Sequence, residues 1–138
     1  MMQEHAHGQY EIQWSGNLCR IWLRGPFNEP GAEALIQQIR LGWQRQGAPT
    51  AWAELVDLSG WEGRTPDSND VFNAGQEWVH QHGLRALAMV TNNRAARLLV
   101  EISRSQHPLL LQRDDLPVAY FDDADAALAW LAGLGFTR

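Results

Sequence analysis

Two runs of alternating residues meet at a glycine–asparagine turn near the start of the chain, and after them no two strand-like runs are adjacent again. Tyr10, Ile12 and Trp14 alternate with Glu11 and Gln13, Ser15-Gly16-Asn17 supplies turn chemistry, and Leu18 to Arg24 alternates once more. That pattern predicts a β-hairpin. In its second strand Cys19, Ile21 and Leu23 share one face, while Leu18, Arg20, Trp22 and Arg24 share the wetter other face. Gly25-Pro26-Phe27-Asn28 is expected to break this strand. Asn28 then suits the cap of a helix with Pro30 in its first turn and Ala32, Leu35, Ile36, Ile39 and Trp43 at helical spacing, ending at Gly47.

The rest alternates helix with strand. Trp52 to Leu58 reads as an interior strand and Gly60 to Pro66 as an irregular stretch. A helix from Pro66 or Asp67 turns Val71, Phe72, Trp78 and Val79 inward, and a buried strand runs from Arg85 to Thr91. Asn92 or Asn93 is expected to cap a further helix carrying Ala95, Leu98, Leu99 and Ile102. A linker from Ser105 to Leu116 leads to a strand from Pro117 to Phe121 and a final helix capped by Asp122. The order β-β-α-β-α-β-α-β-α implies an α/β fold. Right-handed crossovers make strands two to five parallel and leave the first antiparallel beside the second. The predicted architecture is one mixed five-stranded sheet covered by about four helices.

Composition narrows the function. A chain of 138 residues fits one domain, read as a flexible N-terminal arm over residues 1–8 and a single α/β domain over residues 9–138. Eleven basic residues, all arginine, against 16 acidic ones leave a net charge of −5, which argues against nucleic acid or an anionic membrane as partner. The lack of lysine also removes lysine-based chemistry. One cysteine excludes an intrachain disulfide. The first 25 residues contain no signal-like apolar run, and nothing approaches a membrane span. A cytoplasmic protein without membrane insertion is expected. There is no Gly-x-Ser-x-Gly, P-loop or Gly-x-Gly-x-x-Gly motif, so no enzymatic activity is expected. No cofactor is implied. His5 with His7 and His80 with His82 are spaced by two, but no acidic or cysteine residue completes a ligand set, so no metal is expected and the histidines read as solvated. Cys19 lies on the apolar strand face and reads as a buried, inert thiol.

Three segments together resemble a known family. They are Leu55-Val56-Asp57-Leu58-Ser59-Gly60-Trp61, Leu87-Ala88-Met89-Val90-Thr91-Asn92, and the run from Val118-Ala119-Tyr120-Phe121 through Asp122 and Asp123 to Ala129-Trp130-Leu131. In this order they resemble the SpoIIAA-like, or STAS-like, family of small bacterial proteins. The resemblance spans roughly residues 9 to 134. It implies the fold of anti-sigma factor antagonist domains, a topology also compared with lipid-binding SEC14 domains. The function it implies is a non-enzymatic regulatory or protein-binding module. The alternative is a carrier or sensor of a small amphipathic, lipid-like ligand held in a SEC14-like crevice. Antagonists of this kind carry an Asp-Leu-Ser-Gly strand end and an Asp-Ser-Ser-Gly turn whose first serine is phosphorylated. Here Asp57-Leu58-Ser59-Gly60 matches the former. Asp67-Ser68 begins the latter, but Asn69-Asp70 replaces its Ser-Gly. Ser68 is the position a phosphate would take, yet Glu62, Asp67 and Asp70 crowd it with like charge, and an ordinary helix cap is the simpler role.

In open α/β sheets ligands gather at the carboxyl ends of the parallel strands. Those ends carry Phe27, Trp61 and Tyr120 or Phe121 as apolar walls. Asn28, Ser59, Asn92, Asn93 and Arg94 offer hydrogen bonds, and Arg94 with Arg97 would favour an anion. Phe27, Asn28, Ser59, Trp61, Asn92 and Arg94 are therefore the candidate binding residues. Trp43, Trp78 and Trp130 read as packing, whereas Trp61 sits in a polar loop and is expected to be exposed. An exposed Trp61, or the Leu109-Leu110-Leu111 run, would serve a protein partner or self-association.

Overall fold

A computed structural model describes residues 5–91, 97–98 and 116–137. The hairpin forms as expected: β1 (Gln9–Ser15) pairs antiparallel with β2 (Leu18–Phe27) in unbroken register from Gln9↔Arg24 to Ser15↔Leu18. Gly16, at the first position of the two-residue loop, takes φ +61°, the left-handed geometry such a turn asks of glycine. Helix α1 (Glu29–Arg45) follows, then β3 (Trp52–Arg64), a 3₁₀ turn (Pro66–Ser68), α2 (Asn69–Gln81), β4 (Leu84–Val90), β5 (Val118–Phe121) and α3 (Ala124–Gly133). The sheet order is β1-β2-β3-β4-β5, with β2 to β5 mutually parallel. Three α-helices lie among the described residues. The helix expected from Asn92 onward and the Leu109 to Leu111 run fall outside them, apart from Arg97 and Leu98.

Each face of the sheet carries its own core. Cys19, Ile21, Leu23 and Phe27 of β2 join Leu58, Leu87 and Met89 beneath Leu35 and Ile39 of α1 and Val79 of α2. The opposite face sets Leu18, Ala53, Leu55, Ala86, Ala88 and Val90 against Ala127 and Leu131 of α3. Alanines at these strand positions leave room for an alanine-rich helix to lie close. Right-handed crossovers moving one way across the sheet put α1 and α2 on the same side, which leaves the other side to α3.

Two boundaries differ from expectation, and the difference shapes the site. β2 does not stop at Gly25, and Gly60 to Arg64 is strand rather than loop. β2 and β3 continue together past the last β3–β4 pair, Asp57↔Val90, through Arg24↔Gly60 and Gly25↔Trp61 to Phe27↔Arg64. Register shifts at Trp22/Arg24 and Gly25/Phe27 accommodate residues that would otherwise break a strand. Gly25 adopts φ +71° at the irregularity, and Pro26, without an N–H, is tolerated beside it. Gly60 eases the close approach of the two strands, since a Cβ there would lie 3.0 Å from the Arg24 side chain. A smaller shift occurs at α3, whose cap is Asp123 rather than Asp122: its Oδ1 accepts the Ala126 amide at 2.8 Å.

Candidate functional site

The overrunning ends of β2 and β3 hold an aromatic trio. Phe27 is fully buried, with its ring centroid 5.4 Å from Trp61 and 6.0 Å from Phe72, while Trp61 and Phe72 meet edge to face at 6.0 Å. Phe72 comes from the first turn of α2. The Arg64 guanidinium lies 4.9 Å above its ring, a cation–π arrangement. Burial pushes the Arg64 pKa down from its usual value, yet an arginine keeps its charge in proteins. Gly8 closes the trio on another side, since a Cβ there would fall 2.6 Å from the Phe27 ring.

Asn28 is the polar counterpart. It is 2% exposed and caps α1 through Oδ1, which accepts the Gly31 amide at 3.0 Å. The same oxygen accepts the His7 amide at 2.8 Å, and Nδ2 donates to the His5 carbonyl at 2.6 Å. One side chain thus starts a helix and ties the segment before β1 to it. Gly31 permits the approach, because a Cβ there would lie 1.9 Å from the His7 carbonyl oxygen.

Phe27 and Trp61 therefore meet, with Asn28 next in sequence. Phe27 is a packing residue rather than an open wall, and Asn28 spends its hydrogen bonds on backbone. Trp61 is half-buried against the trio instead of standing out from a loop. Ser59 is exposed, and its amide donates to Asp57 Oδ1 at 2.9 Å. Ser68 is fully buried, and its hydroxyl donates to the Thr65 carbonyl at 2.7 Å. It occupies the cap position of α2 without a side-chain capping bond. Thr65 instead hydrogen-bonds the Asp67 carboxylate. Asn92 and Arg94 lie outside the described residues. At the end of β5 the Arg97 guanidinium sits 4.8 Å over Tyr120. Arg64 and Gly8 escaped the sequence reading as trio partners. Phe72 was legible only as a core position, since its partners are distant in sequence.

The opposite end of the sheet is also aromatic. Trp78 and His82 stack at 4.2 Å, and Trp43 meets both edge to face. His82 Nδ1 lies 2.7 Å from the Trp78 carbonyl, and the wholly buried Trp52 donates to the His82 carbonyl at 2.8 Å. An open hollow of about 270 Å³ is lined by Trp43, Thr50, His80, Gln81, His82, Gly83 and Arg85. His80 is buried and His82 half-buried, so this pair is packed rather than solvated. Among the described residues no cluster of three or more His, Cys, Asp or Glu is placed to hold a metal ion.

A family model described as SpoIIAA-like matches residues 18–132. No curated protein matches the chain. Among solved structures, an uncharacterised Shewanella loihica protein with a SpoIIAA-like fold superposes with a TM-score of 0.64 at 14% identity, covering 95% of this chain and 98% of that one. The murine solute carrier 26 family member A9 anion transporter superposes with a TM-score of 0.58 at 11% identity. That match covers 94% of this chain but only 23% of the transporter. At these identities the two structures establish the fold alone.

Proposed function

The chain belongs to the SpoIIAA-like family, and on that premise we propose that it is a non-enzymatic regulatory module that binds a protein partner at the joined ends of β2 and β3. The observation that carries this reading is the aromatic trio. Phe27, Trp61 and Phe72 pack together at the carboxyl ends of β2 and β3, the side of an open α/β sheet where ligands gather. What remains accessible there is a half-buried tryptophan among exposed Ser59, Gly60 and Glu62. A packed aromatic anchor with a polar rim is the anatomy of a protein-recognition surface. No described helix is long and apolar enough to cross a membrane. The acidic balance of the chain favours a protein over nucleic acid, and a cytoplasmic setting fits its single, buried cysteine.

A carrier of a small amphipathic ligand would need that strand-end volume open. Native mass spectrometry of the purified chain, paired with affinity capture from its source cells, separates the readings. The expected result is a ligand-free mass, together with a captured protein that Ser59→Arg combined with Glu62→Arg no longer retains. Both side chains are exposed, so this variant keeps its unfolding midpoint. A stoichiometric copurified lipid-like molecule would overturn the partner reading in favour of the carrier.

A further inference from the structure

The outer edge of β1 is one margin of the sheet. Among the described residues nothing pairs with it. Natural sheets protect such edges with lysine, proline, bulges or brevity. β1 carries no lysine, proline or register shift and a single charge, Glu11: it spans 7 residues, reads Gln-Tyr-Glu-Ile-Gln-Trp-Ser and holds one register against β2. The other edge strand, β5, has only 4 residues.

Hairpin geometry decides which groups face outward. A two-residue loop closes on a hydrogen-bonded pair, here Ser15 with Leu18. Alternation then turns the Gln13 and Glu11 amides toward β2 and the Tyr10, Ile12 and Trp14 amides and carbonyls toward the open edge. The side chains of these three residues are half-buried on the α1 face, against its core. The sequence around Ile12 is chemically symmetric, with an aromatic residue at either end, a hydrogen-bonding residue inside each, and an aliphatic centre.

We propose that two copies of this chain pair β1 to β1, antiparallel about Ile12, into one continuous sheet. In that register Ile12 faces the partner's Ile12, Tyr10 faces the partner's Trp14, and Glu11 faces the partner's Gln13. Each Ile12 and Tyr10–Trp14 pairing uses the outward amides, and a pair of residues exchanges two N–H···O bonds. Aromatic residues meet across the seam on one face, which stabilises an antiparallel pair. On the other face Glu11, the single charge of β1, meets an amide that can donate to it. The two-fold axis stands perpendicular to the sheet, so the contact is isologous and closes. The inference is independent of the strand-end reading, because the β1 edge contains none of Ser59, Trp61 or Glu62.

Sedimentation equilibrium of the full chain tests it, alongside amide exchange at two protein concentrations. A reversible dimer is expected, with Tyr10, Ile12 and Trp14 amides exchanging more slowly at the higher concentration. Gln13→Glu places a carboxylate opposite each Glu11 of the partner and should raise the dissociation constant roughly 2- to 30-fold. Combining it with Glu11→Gln restores an acid–amide pair and should return the constant to within about twofold of the parent. Both side chains are exposed, so the fold is unaffected. A chain that stays monomeric at ~0.1 mM, or a dimer indifferent to Gln13→Glu, overturns the proposal. A monomer that instead accepts an unrelated strand at β1 does so too.

Discussion

Asn28 separates structure from recognition, because a site residue and a clasp respond to mutation in opposite ways. Asn28→Ala removes the α1 cap, worth about 1 kcal/mol within a range of 0.5–2. It also removes the bonds to the His7 amide and the His5 carbonyl, each worth ~0.5–1.5 kcal/mol. The sum is about 3 kcal/mol, or roughly 10 °C in Tm for a domain of this size. Asn28→Asp keeps the acceptor for Gly31 and His7 and adds a charge that the helix N-terminus favours, but sets an oxygen against the His5 carbonyl. It should cost only about 1 kcal/mol. Gly31→Ala tests the clasp from its other side. In a helix interior, alanine is ordinarily better than glycine by ~1 kcal/mol; here its Cβ would lie 1.9 Å from the His7 carbonyl oxygen, so the change should destabilise. Urea unfolding followed by tryptophan fluorescence measures all three, with a constant m-value as the control. An Asn28→Ala midpoint within ~0.5 kcal/mol of the parent, or a stabilised Gly31→Ala, would refute the clasp and return Asn28 to the candidate ligand residues.

Three further outcomes follow from burial. Burial, and secondarily the Glu54 carboxylate, push the Cys19 thiol pKa up. The unfolded chain then loses its proton first as pH rises through the ordinary thiol value near ~8.5, and stability should fall above it by up to ~1.4 kcal/mol per pH unit; Cys19→Ala should flatten that part of the urea-midpoint profile. Ser68→Glu, the usual mimic of phosphorylation, puts a carboxylate in a fully buried site and should cost at least ~2 kcal/mol by thermal unfolding; a neutral result would mean that the 3₁₀ turn opens readily. Gly42→Ala drives a methyl to 2.3 Å from Trp14 Nε1, so it should cost ~1–3 kcal/mol and shift tryptophan emission, whereas an unchanged spectrum would contradict the α1–β1 packing.

The succession of elements and the strand directions were legible because they rest on local signals: period two on both sides of a turn, caps, and helix-terminating glycines. The strand-end site was not, because its partners are far apart in sequence and its strands contain residues that usually end strands. Gly25-Pro26 and Gly60 read as breaks, yet pairing between β2 and β3 absorbs them as register shifts. Trp61, taken for a loop residue, is packed half-buried against the core as a consequence. His80 and His82 illustrate the same limit at the other end: both read as solvated at a helix terminus, yet His80 is buried and His82 stacks on Trp78 beside Trp43.

That overrun also bears on what kind of recognition the fold supports. Where adjacent parallel strands end together, helix N-termini and loops can surround a ligand. Here β3 leaves β4 at Asp57 while its pairing with β2 continues to Arg64, so the two strands run on together as a paired ribbon beyond the last β3–β4 pair. The ribbon packs through Phe27 and Trp61 against Phe72 of α2, and it is tied at its far end, where the Thr65 amide donates to the Phe27 carbonyl at 2.8 Å. A segment held by such packing loses little conformational entropy on docking. On the proposed reading it meets a complementary protein surface, with the exposed Ser59 and Glu62 forming the rim around the half-buried Trp61.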